Sequence, residues 1–161
     1  MNKKFLYLPI VILFFSISLN SCKDSCDSEP DLRVSESQLA ADIAAIDAYL
    51  ANNNIDAQIH PSGLRYVISR EGSGSNPDLC DQVAVTYEGR LMSNGNTFDG
   101  RETPISFDLG NLIVGWQIGI PLIKPGGRIT LYIPSVYGYG TIGQGQDIPP
   151  NANLIFEILL F

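Results

Sequence analysis

The sequence predicts an α+β fold in which one antiparallel sheet wraps around one short helix. Apolar and polar residues alternate along several short segments after Gln58, which is the period-two pattern of half-buried strands. Tight-turn dipeptides and Gly/Pro-rich stretches separate these segments. One largely apolar run, from Ile113 to Ile123, holds the only tryptophan, Trp116, and must be buried on most of its sides. These three observations favour a sheet that packs on one buried helix.

An amphipathic helix is predicted ahead of the sheet, from about Glu36 to Ala51. Ser35 and Gln38 have the Ser-x-x-Gln form of a capping box, which marks a helix start. Apolar residues then recur at spacings of four, three and four, namely Leu39, Ile43, Ile46 and Leu50. Asn52–Asn54 ends the helix, because asparagine tolerates the left-handed conformation found at helix ends. The apolar stripe must be buried, and its own domain is the nearest surface; a homodimer contact is the alternative.

The next predicted elements are strands joined by turns. Residues 63–72 alternate apolar and polar side chains, and so do residues 83–88. Asn94-Gly95 is a strong tight-turn dipeptide, so residues 83–99 are predicted to form a hairpin. Residues 106–109 are a further short strand candidate.

The buried helix and the last strands follow. Gly115, Gly119 and Pro121 limit the apolar run to about two turns of helix. Residues 128–134 and 153–161 are predicted strands, and a long Gly/Pro-rich loop separates them. Together these segments complete the antiparallel sheet.

Composition and charge exclude several classes of function. The 161 residues include 10 basic and 17 acidic side chains, a net charge of −7, so the chain lacks the basic surface that binds nucleic acid. A single histidine, His60, and three cysteines without CxxC spacing provide no metal site. Residues 138–143 match the dinucleotide pattern GxGxxG, but Gly145 and the prolines at 149–150 prevent the helix that this pattern requires. We therefore expect no metal, no NAD or FAD and no other cofactor.

The amino terminus, residues 1–21, is predicted to be a secretory signal. Two lysines precede an apolar run of 15 residues, which is shorter than the ~20 residues that a membrane-spanning helix needs. Leu19-Asn20-Ser21-Cys22 resembles the bacterial lipoprotein box, and the resemblance implies cleavage before Cys22 and lipidation of that cysteine. An ordinary signal, cut at another small residue, is the alternative. The expected location is an exported protein, anchored through lipid to a bacterial membrane; the outer membrane is favoured and its side is left open.

The predicted organisation has four parts. These are the signal 1–21, a lipidated flexible tether 22–34, the amphipathic helix 35–54 and a globular domain 55–161. The tether is polar and cannot bury enough apolar surface to fold. A disulfide between Cys26 and Cys80 is permitted in an oxidising compartment, but the sequence does not place the two within bonding distance and an unpaired state is equally compatible with it.

Five blocks of the globular part, in order and spacing, resemble the FKBP family of peptidyl-prolyl cis-trans isomerases. They are VAVTYEGRLMSNGNTFDG, PISFDLG, LIVGWQIGIPLIKPGGR, ITLYIP and YGYGTIGQGQDIPPNANLIFEI. The resemblance extends from about Gly63 to Phe161. It implies a five- or six-stranded antiparallel sheet curled around a short helix, with a proline pocket between the helix and the sheet. It also implies that the partners are proline-containing polypeptides and macrolide ligands.

The resemblance assigns site residues by their position in these blocks. It implies that Asp99, Tyr139 and Tyr87 are catalytic. It implies that the substrate-binding residues are Phe98, Phe107, Leu112, Ile113, Trp116 as the pocket floor, Ile148 and Phe156. The Tyr139 hydroxyl and the Ile148 backbone N–H are expected to donate to substrate carbonyls, and Asp99 is expected within reach of Tyr87. Three residues depart from the family pattern at the rim, namely Ile105, Gln144 and Asp147.

The chemistry of X-Pro rotation agrees with this set of residues. The barrier of ~18–20 kcal/mol comes from amide resonance, so lowering it requires no nucleophile, metal or proton shuttle. An apolar aromatic cavity favours the twisted amide over the more dipolar planar amide. From spacing alone an ordinary core is the better interpretation of the aromatic residues, and only the register of the five blocks reverses it. The predicted function is a prolyl isomerase that assists the folding of exported proteins; an FKBP-like peptide-binding or chaperone module with little turnover is the alternative.

Overall fold

The computed structural model describes residues 29–161. The predicted signal, the predicted lipidation site Cys22 and the cysteine at position 26 lie outside the described residues. Cys80 is disulfide-bonded. No helix within residues 29–161 is long and apolar enough to cross a membrane.

The first helix, α1, spans Glu36–Asn52 and begins and ends within one residue of its predicted bounds. Ser35 caps its start, where the hydroxyl accepts a hydrogen bond from the Gln38 backbone N–H at 3.4 Å. Asn53 caps its end, and Asn54 has a φ of 54°, in the left-handed region that asparagine tolerates. Local sequence signals therefore determine both ends of this helix.

The six strands of residues 29–161 form a single antiparallel sheet, as predicted for the fold class. Its strands are β1 (Gln58–Ile59), β2 (Arg65–Arg70), β3 (Gln82–Leu91), β4 (Thr97–Asp108), β5 (Arg128–Ile133) and β6 (Leu154–Leu160). Their order across the sheet is β1-β2-β5-β6-β3-β4. The carboxyl-terminal strand therefore lies in the interior of the sheet, between β5 and β3, so residues at the very end of the chain contribute to its core.

The β3–β4 hairpin is longer than predicted. It pairs Gln82 with Asp108 at its open end, and Gly95 supplies the positive φ of its turn. Residues 106–108 of the separate strand predicted at 106–109 are the end of β4, which continues through Pro104, and Leu109 begins a short 3-10 helix. Because β4 is an edge strand, a proline does not interrupt any ladder on its outer side. Two register shifts in the pairing with β3 keep the long hairpin in contact along its length.

The second helix, α2, spans Val114–Gly119 and packs against one face of the sheet. Two of its glycines permit very close contact. A Cβ on Gly115 would lie 2.5 Å from Ile133 Cγ2, and one on Gly119 would lie 2.5 Å from Leu131 Cδ1. The main core fills the space between α2 and the sheet, with buried members that include Val85, Leu109, Ile120, Ile129, Leu131, Ile133, Leu154, Phe156 and Ile158.

The helix α1 covers the other face of the sheet. Ile46 and Leu50 of this helix are buried with Tyr132 of β5 and Ile155 of β6 in a second, smaller core. The apolar stripe thus packs on its own domain, as the sequence favoured. Asp47 adds a bidentate ion pair with Arg65 of β2, at 2.8 and 2.9 Å. The result is a three-layer arrangement of α1, the sheet and α2.

Candidate active site

A small cavity opens between α2 and the sheet. Its volume is about 160 Å³, and it is lined by Tyr87, Asp99, Phe107, Leu112, Ile113, Trp116, Tyr139 and Phe156. Pockets that hold drug-sized ligands occupy roughly 300–1,000 Å³, so this cavity fits a single small ring rather than a nucleotide cofactor. Eight of the ten residues assigned to the site from the sequence therefore line one cavity.

Strand pairing places the aromatic side chains of the cavity. Phe156 of β6 lies opposite Gly89 of β3. Gly89 leaves the space that the rings of Phe156 and Phe98 fill, since a Cβ there would lie 2.6 Å from Phe156 Cε1. Phe98 packs edge-on against Phe156, with ring centroids 5.5 Å apart, and does not itself line the cavity. Phe98 therefore supports the Phe156 ring, which lines the cavity.

Trp116 forms the floor of the cavity, on the face of α2 that points at the sheet. Its indole meets Tyr87 at 5.1 Å, Phe156 at 5.2 Å and Phe107 at 6.3 Å, and all three pairs are close to perpendicular. Such edge-to-face pairs are favourable because the positive edge of one ring meets the negative face of another. Trp116 is 4% exposed, and its Nε1–H has no hydrogen-bond partner among the described residues. The floor is therefore a cluster of closely packed aromatic rings.

The rim carries a hydrogen-bonded pair of polar groups. The Tyr87 hydroxyl donates to Asp99 Oδ2 at 2.7 Å, and Asp99 Oδ1 accepts from the Gly100 N–H at 2.8 Å. Burial, and next the hydrogen bond to Asp99, raise the pKa of Tyr87 to about 12. Burial and the nearby Asp99 charge also raise the pKa of Tyr139. Both phenols are thus protonated at neutral pH, and each is a hydrogen-bond donor.

Two backbone N–H groups of predicted site residues differ in whether they are already hydrogen-bonded. The Ile148 N–H donates to Gln144 O at 3.1 Å, and the Gln144 N–H donates to Ile148 O at 2.8 Å. This two-residue bridge closes the loop and occupies the Ile148 N–H, so the predicted donation from Ile148 to substrate stays a prediction, one that requires the bridge to open. The Ile113 N–H, by contrast, has no hydrogen-bond acceptor among the described residues. Ile113 precedes the first residue of α2, where backbone N–H groups lack intrahelical partners, and this helix start was the signal for it in the sequence.

The three departures from the family pattern lie outside the cavity lining. Ile105 is half-buried on β4, and Gln144 belongs to the bridge with Ile148. Asp147 is exposed and lines a separate, more polar groove together with Phe98. Within residues 29–161, no group of three or more His, Cys, Asp or Glu side chains is arranged to hold a metal ion.

Comparison with known proteins finds similar sequences among isomerases and FK506-binding proteins. The chain is 44% identical over 102 residues to the probable FKBP-type peptidyl-prolyl cis-trans isomerase FkpA of Neisseria meningitidis, which covers 62% of this chain and 37% of that protein. It is 45% identical over 103 residues to FK506-binding protein 4 of Dictyostelium discoideum, covering 62% of this chain and 28% of that one. The chain spans less than half the length of these curated relatives.

A solved structure agrees over a larger part of both chains. The crystal structure of a peptidyl-prolyl cis-trans isomerase from Pseudomonas syringae superposes with a TM-score of 0.66 at 30% identity, over 80% of this chain and 97% of that one. The sequence model of the family described as FKBP-type peptidyl-prolyl cis-trans isomerase matches residues 74–161, more than half of the chain. The aromatic cavity, the fold and these matches together show that the chain belongs to the FKBP-type peptidyl-prolyl cis-trans isomerase family.

Proposed function

We propose that this chain catalyses cis-trans isomerisation of X-Pro peptide bonds, with the proline ring held in the cavity above Trp116. The observation that carries the proposal is the cavity itself. It has the size of one small ring, its walls are aromatic, and hydrogen-bond donors stand at its edge. The partners proposed with this activity are proline-containing polypeptides and, as inhibitors, macrolides.

The apolar walls favour the transition state over the ground state. A planar X-Pro amide is stabilised by resonance that places negative charge on the carbonyl oxygen, and rotation removes that charge. The planar amide therefore loses more solvation than the twisted amide when both enter an apolar cavity. The floor formed by Trp116 and Phe156 supplies this environment, since both side chains are buried and their rings meet edge to face.

The donors at the edge hold the rest of the peptide. The Ile113 N–H and the protonated Tyr139 hydroxyl are placed to bind carbonyl groups on either side of the proline. Asp99 engages Tyr87 and holds that ring in place against Trp116. A peptide fixed at its flanking carbonyls can rotate only about the X-Pro bond, and such orientation lowers the entropic part of the barrier.

The experiment measures the isomerisation rate of a short X-Pro peptide in the presence of three proteins, namely the wild-type chain, Tyr139→Phe and Tyr66→Phe. Tyr66→Phe is the matched control, because it removes the same hydroxyl from a half-buried tyrosine on β2 that does not line the cavity. We expect Tyr139→Phe to lower kcat/KM by ~3- to 10-fold, the value of one neutral hydrogen bond, with unchanged circular dichroism. Tyr66→Phe should match the wild type.

Two results would count against the proposal. If the folded wild-type chain does not accelerate isomerisation, the domain is a peptide-binding module with little turnover. If Tyr139→Phe is folded and as active as Tyr66→Phe, the Tyr139 hydroxyl does not bind the reacting peptide.

We further propose that the protein is exported and anchored by lipid on Cys22, where its substrates would be exported chains. The support is the sequence: a short apolar run after two lysines, followed by Leu19-Asn20-Ser21-Cys22. Mass spectrometry of the mature amino terminus tests this, with Cys22→Ser as the comparison. An acylated residue 22 that is absent in Cys22→Ser supports the anchor, whereas a mature chain that begins elsewhere contradicts it.

A further inference from the structure

We propose that Asp42 of α1 is a positioning residue for the isomerase site, because it fixes the loop that carries Tyr139. This inference rests on the function proposed above. Asp42 lies outside residues 74–161, the part of the chain that the family model matches, and it does not line the cavity. It would act through Tyr139 and not on the substrate.

The contact is made between α1 and a short 3-10 helix, Ser135–Tyr137, that follows β5. Asp42 Oδ2 accepts a hydrogen bond from Ser135 Oγ at 2.7 Å and a longer one from the Val136 N–H at 3.4 Å. Asp42 Oδ1 accepts from Gln38 Nε2 at 2.9 Å. Asp42 is 3% exposed and Ser135 is fully buried, so the carboxylate bonds to Ser135 in a site that excludes solvent. The short 3-10 helix has no side-chain cap of its own, and Asp42 binds its start from the neighbouring element.

Two hydrogen bonds lead from this contact to the loop that carries Tyr139. The Ser135 carbonyl accepts from the Gly138 N–H at 3.0 Å and from the Gly140 N–H at 2.9 Å. These two glycines are the immediate neighbours of Tyr139 in the chain. The position of the Ser135 backbone thus determines where the Tyr139 ring enters the cavity wall. Asn153 completes the support, since its Oδ1 accepts from the Ser135 N–H at 3.0 Å.

Asp42 can fix the loop only if α1 is itself held against the sheet, and two kinds of contact hold it there. Ile46 and Leu50 are buried against the outer face of the sheet, and Asp47 forms its bidentate pair with Arg65. The apolar packing of Ile46 and Leu50 is sufficient to dock the helix, and the Asp47 pair adds to it. A buried carboxylate is expensive to desolvate, and its presence at position 42 is explained by the donors on the loop that it satisfies.

The test compares two aspartates of the same helix in the full chain. Asp42→Ala removes the contact with the loop, whereas Asp47→Ala removes a docking contact on β2, away from the cavity. We expect Asp42→Ala to lower kcat/KM about as much as Tyr139→Phe does, by roughly 3- to 10-fold, because it misplaces the same donor. Asp47→Ala should stay within roughly twofold of the wild type, because its contact does not reach the loop.

A double-mutant cycle separates positioning from general destabilisation. If Asp42 acts through Tyr139, Asp42→Ala in the Tyr139→Phe background should cost less than about twofold more activity. If the losses of activity of the two single variants multiply in the double variant, the proposal is overturned. Amide hydrogen exchange adds a readout that does not depend on catalysis: protection at Gly138 and Gly140 should fall in Asp42→Ala and persist in Asp47→Ala. Equal protection in both variants would overturn it as well.

Ser135→Ala provides the second variant in case Asp42→Ala does not fold, because it deletes only the hydroxyl that Asp42 binds. Like Asp42→Ala, it should lower the exchange protection of Gly138 and Gly140, and its loss of activity should not add to that of Tyr139→Phe. Unchanged protection or additive losses would contradict the proposal. An inactive wild-type chain would refute the isomerase function, whereas the exchange experiment would still decide whether Asp42 holds the loop.

Discussion

Gly89 lies beneath the two phenylalanine rings that support the cavity, and its substitution by alanine changes the cavity without changing any residue that lines it. A Cβ at this position would lie 2.6 Å from Phe156 Cε1, 2.8 Å from Phe98 Cζ and 2.9 Å from Phe98 Cε2. Carbon atoms in contact are normally ~3.5–4.0 Å apart, so the rings must move by about 1 Å. Gly89 is in an ordinary strand conformation, and alanine adds no backbone strain.

The expected loss of stability is small, because two effects oppose each other. Overpacking a well-packed site destabilises by ~1–3 kcal/mol. Replacing glycine by alanine within a strand recovers roughly 0.5–1 kcal/mol of backbone entropy. The net loss for Gly89→Ala is therefore about 0–2.5 kcal/mol. Ligand binding should be affected more clearly than stability, because the substitution pushes Phe156 toward a cavity of only about 160 Å³. We expect affinity for a macrolide to fall by roughly tenfold, the effect of one methylene misfit in an apolar pocket.

The assay uses the only tryptophan of the chain, which is the floor of the cavity. FK506 titrated into the protein should change the fluorescence of Trp116, and urea unfolding gives the stability of each variant. The double variant Gly89→Ala, Phe98→Leu is the control, because leucine lacks the Cζ and Cε2 atoms that clash and should restore part of the affinity. Wild-type affinity and wild-type stability in Gly89→Ala would show that a Cβ at position 89 does not displace the two rings.

Two further predictions concern charged groups. Asp99→Asn should lower the pKa of Tyr87 from about 12 but leave it above the ordinary value of 10.0, because burial is the larger cause and the Asp99 hydrogen bond the smaller one. Ring-carbon NMR titration, assigned with Tyr87→Phe, measures this, and an unchanged pKa would contradict the role of Asp99. Asp47→Ala should lower the free energy of unfolding by about 1–2 kcal/mol, since it leaves the Arg65 guanidinium, 9% exposed, with only the Gly63 carbonyl. Urea unfolding tests it, and unchanged stability would show that Arg65 finds another acceptor.

Short-range signals account for the elements that the sequence predicted correctly. The bounds of α1 follow from Ser35 at its start and from the left-handed Asn54 at its end, both of which act within a few residues. The length of β4 could not be predicted in this way. Its middle residues are paired with β3 through two register shifts, and such shifts depend on how the whole hairpin packs.

One signal for the three-layer arrangement was present in the sequence. Leu154–Leu160 is almost continuously apolar, as is Leu131–Ile133, and strands of that kind are buried on both faces. The structure places α2 on one face of these strands and α1 on the other. A search for double-sided burial would therefore have predicted where α1 docks.

The candidate site was predictable in its side chains and less so in its backbone. The aromatic residues follow from sequence blocks in register, and eight of ten assigned residues line the cavity. Which backbone N–H groups are free to bind a substrate carbonyl depends in part on the loop bridge between Gln144 and Ile148, and that bridge has no sequence signature. The contact between Asp42 and Ser135 joins residues 93 positions apart, so no local pattern could have indicated it.

One cavity should both bind ligand and lower the barrier to X-Pro rotation. Titrating isomerase activity with FK506, while the fluorescence of Trp116 is followed in the same sample, tests both properties at once. The isomerisation rate should fall to the uncatalysed rate with the same concentration dependence as the Trp116 signal. Turnover that persists after the Trp116 signal has saturated would contradict this expectation, because catalysis would then occur elsewhere on the chain.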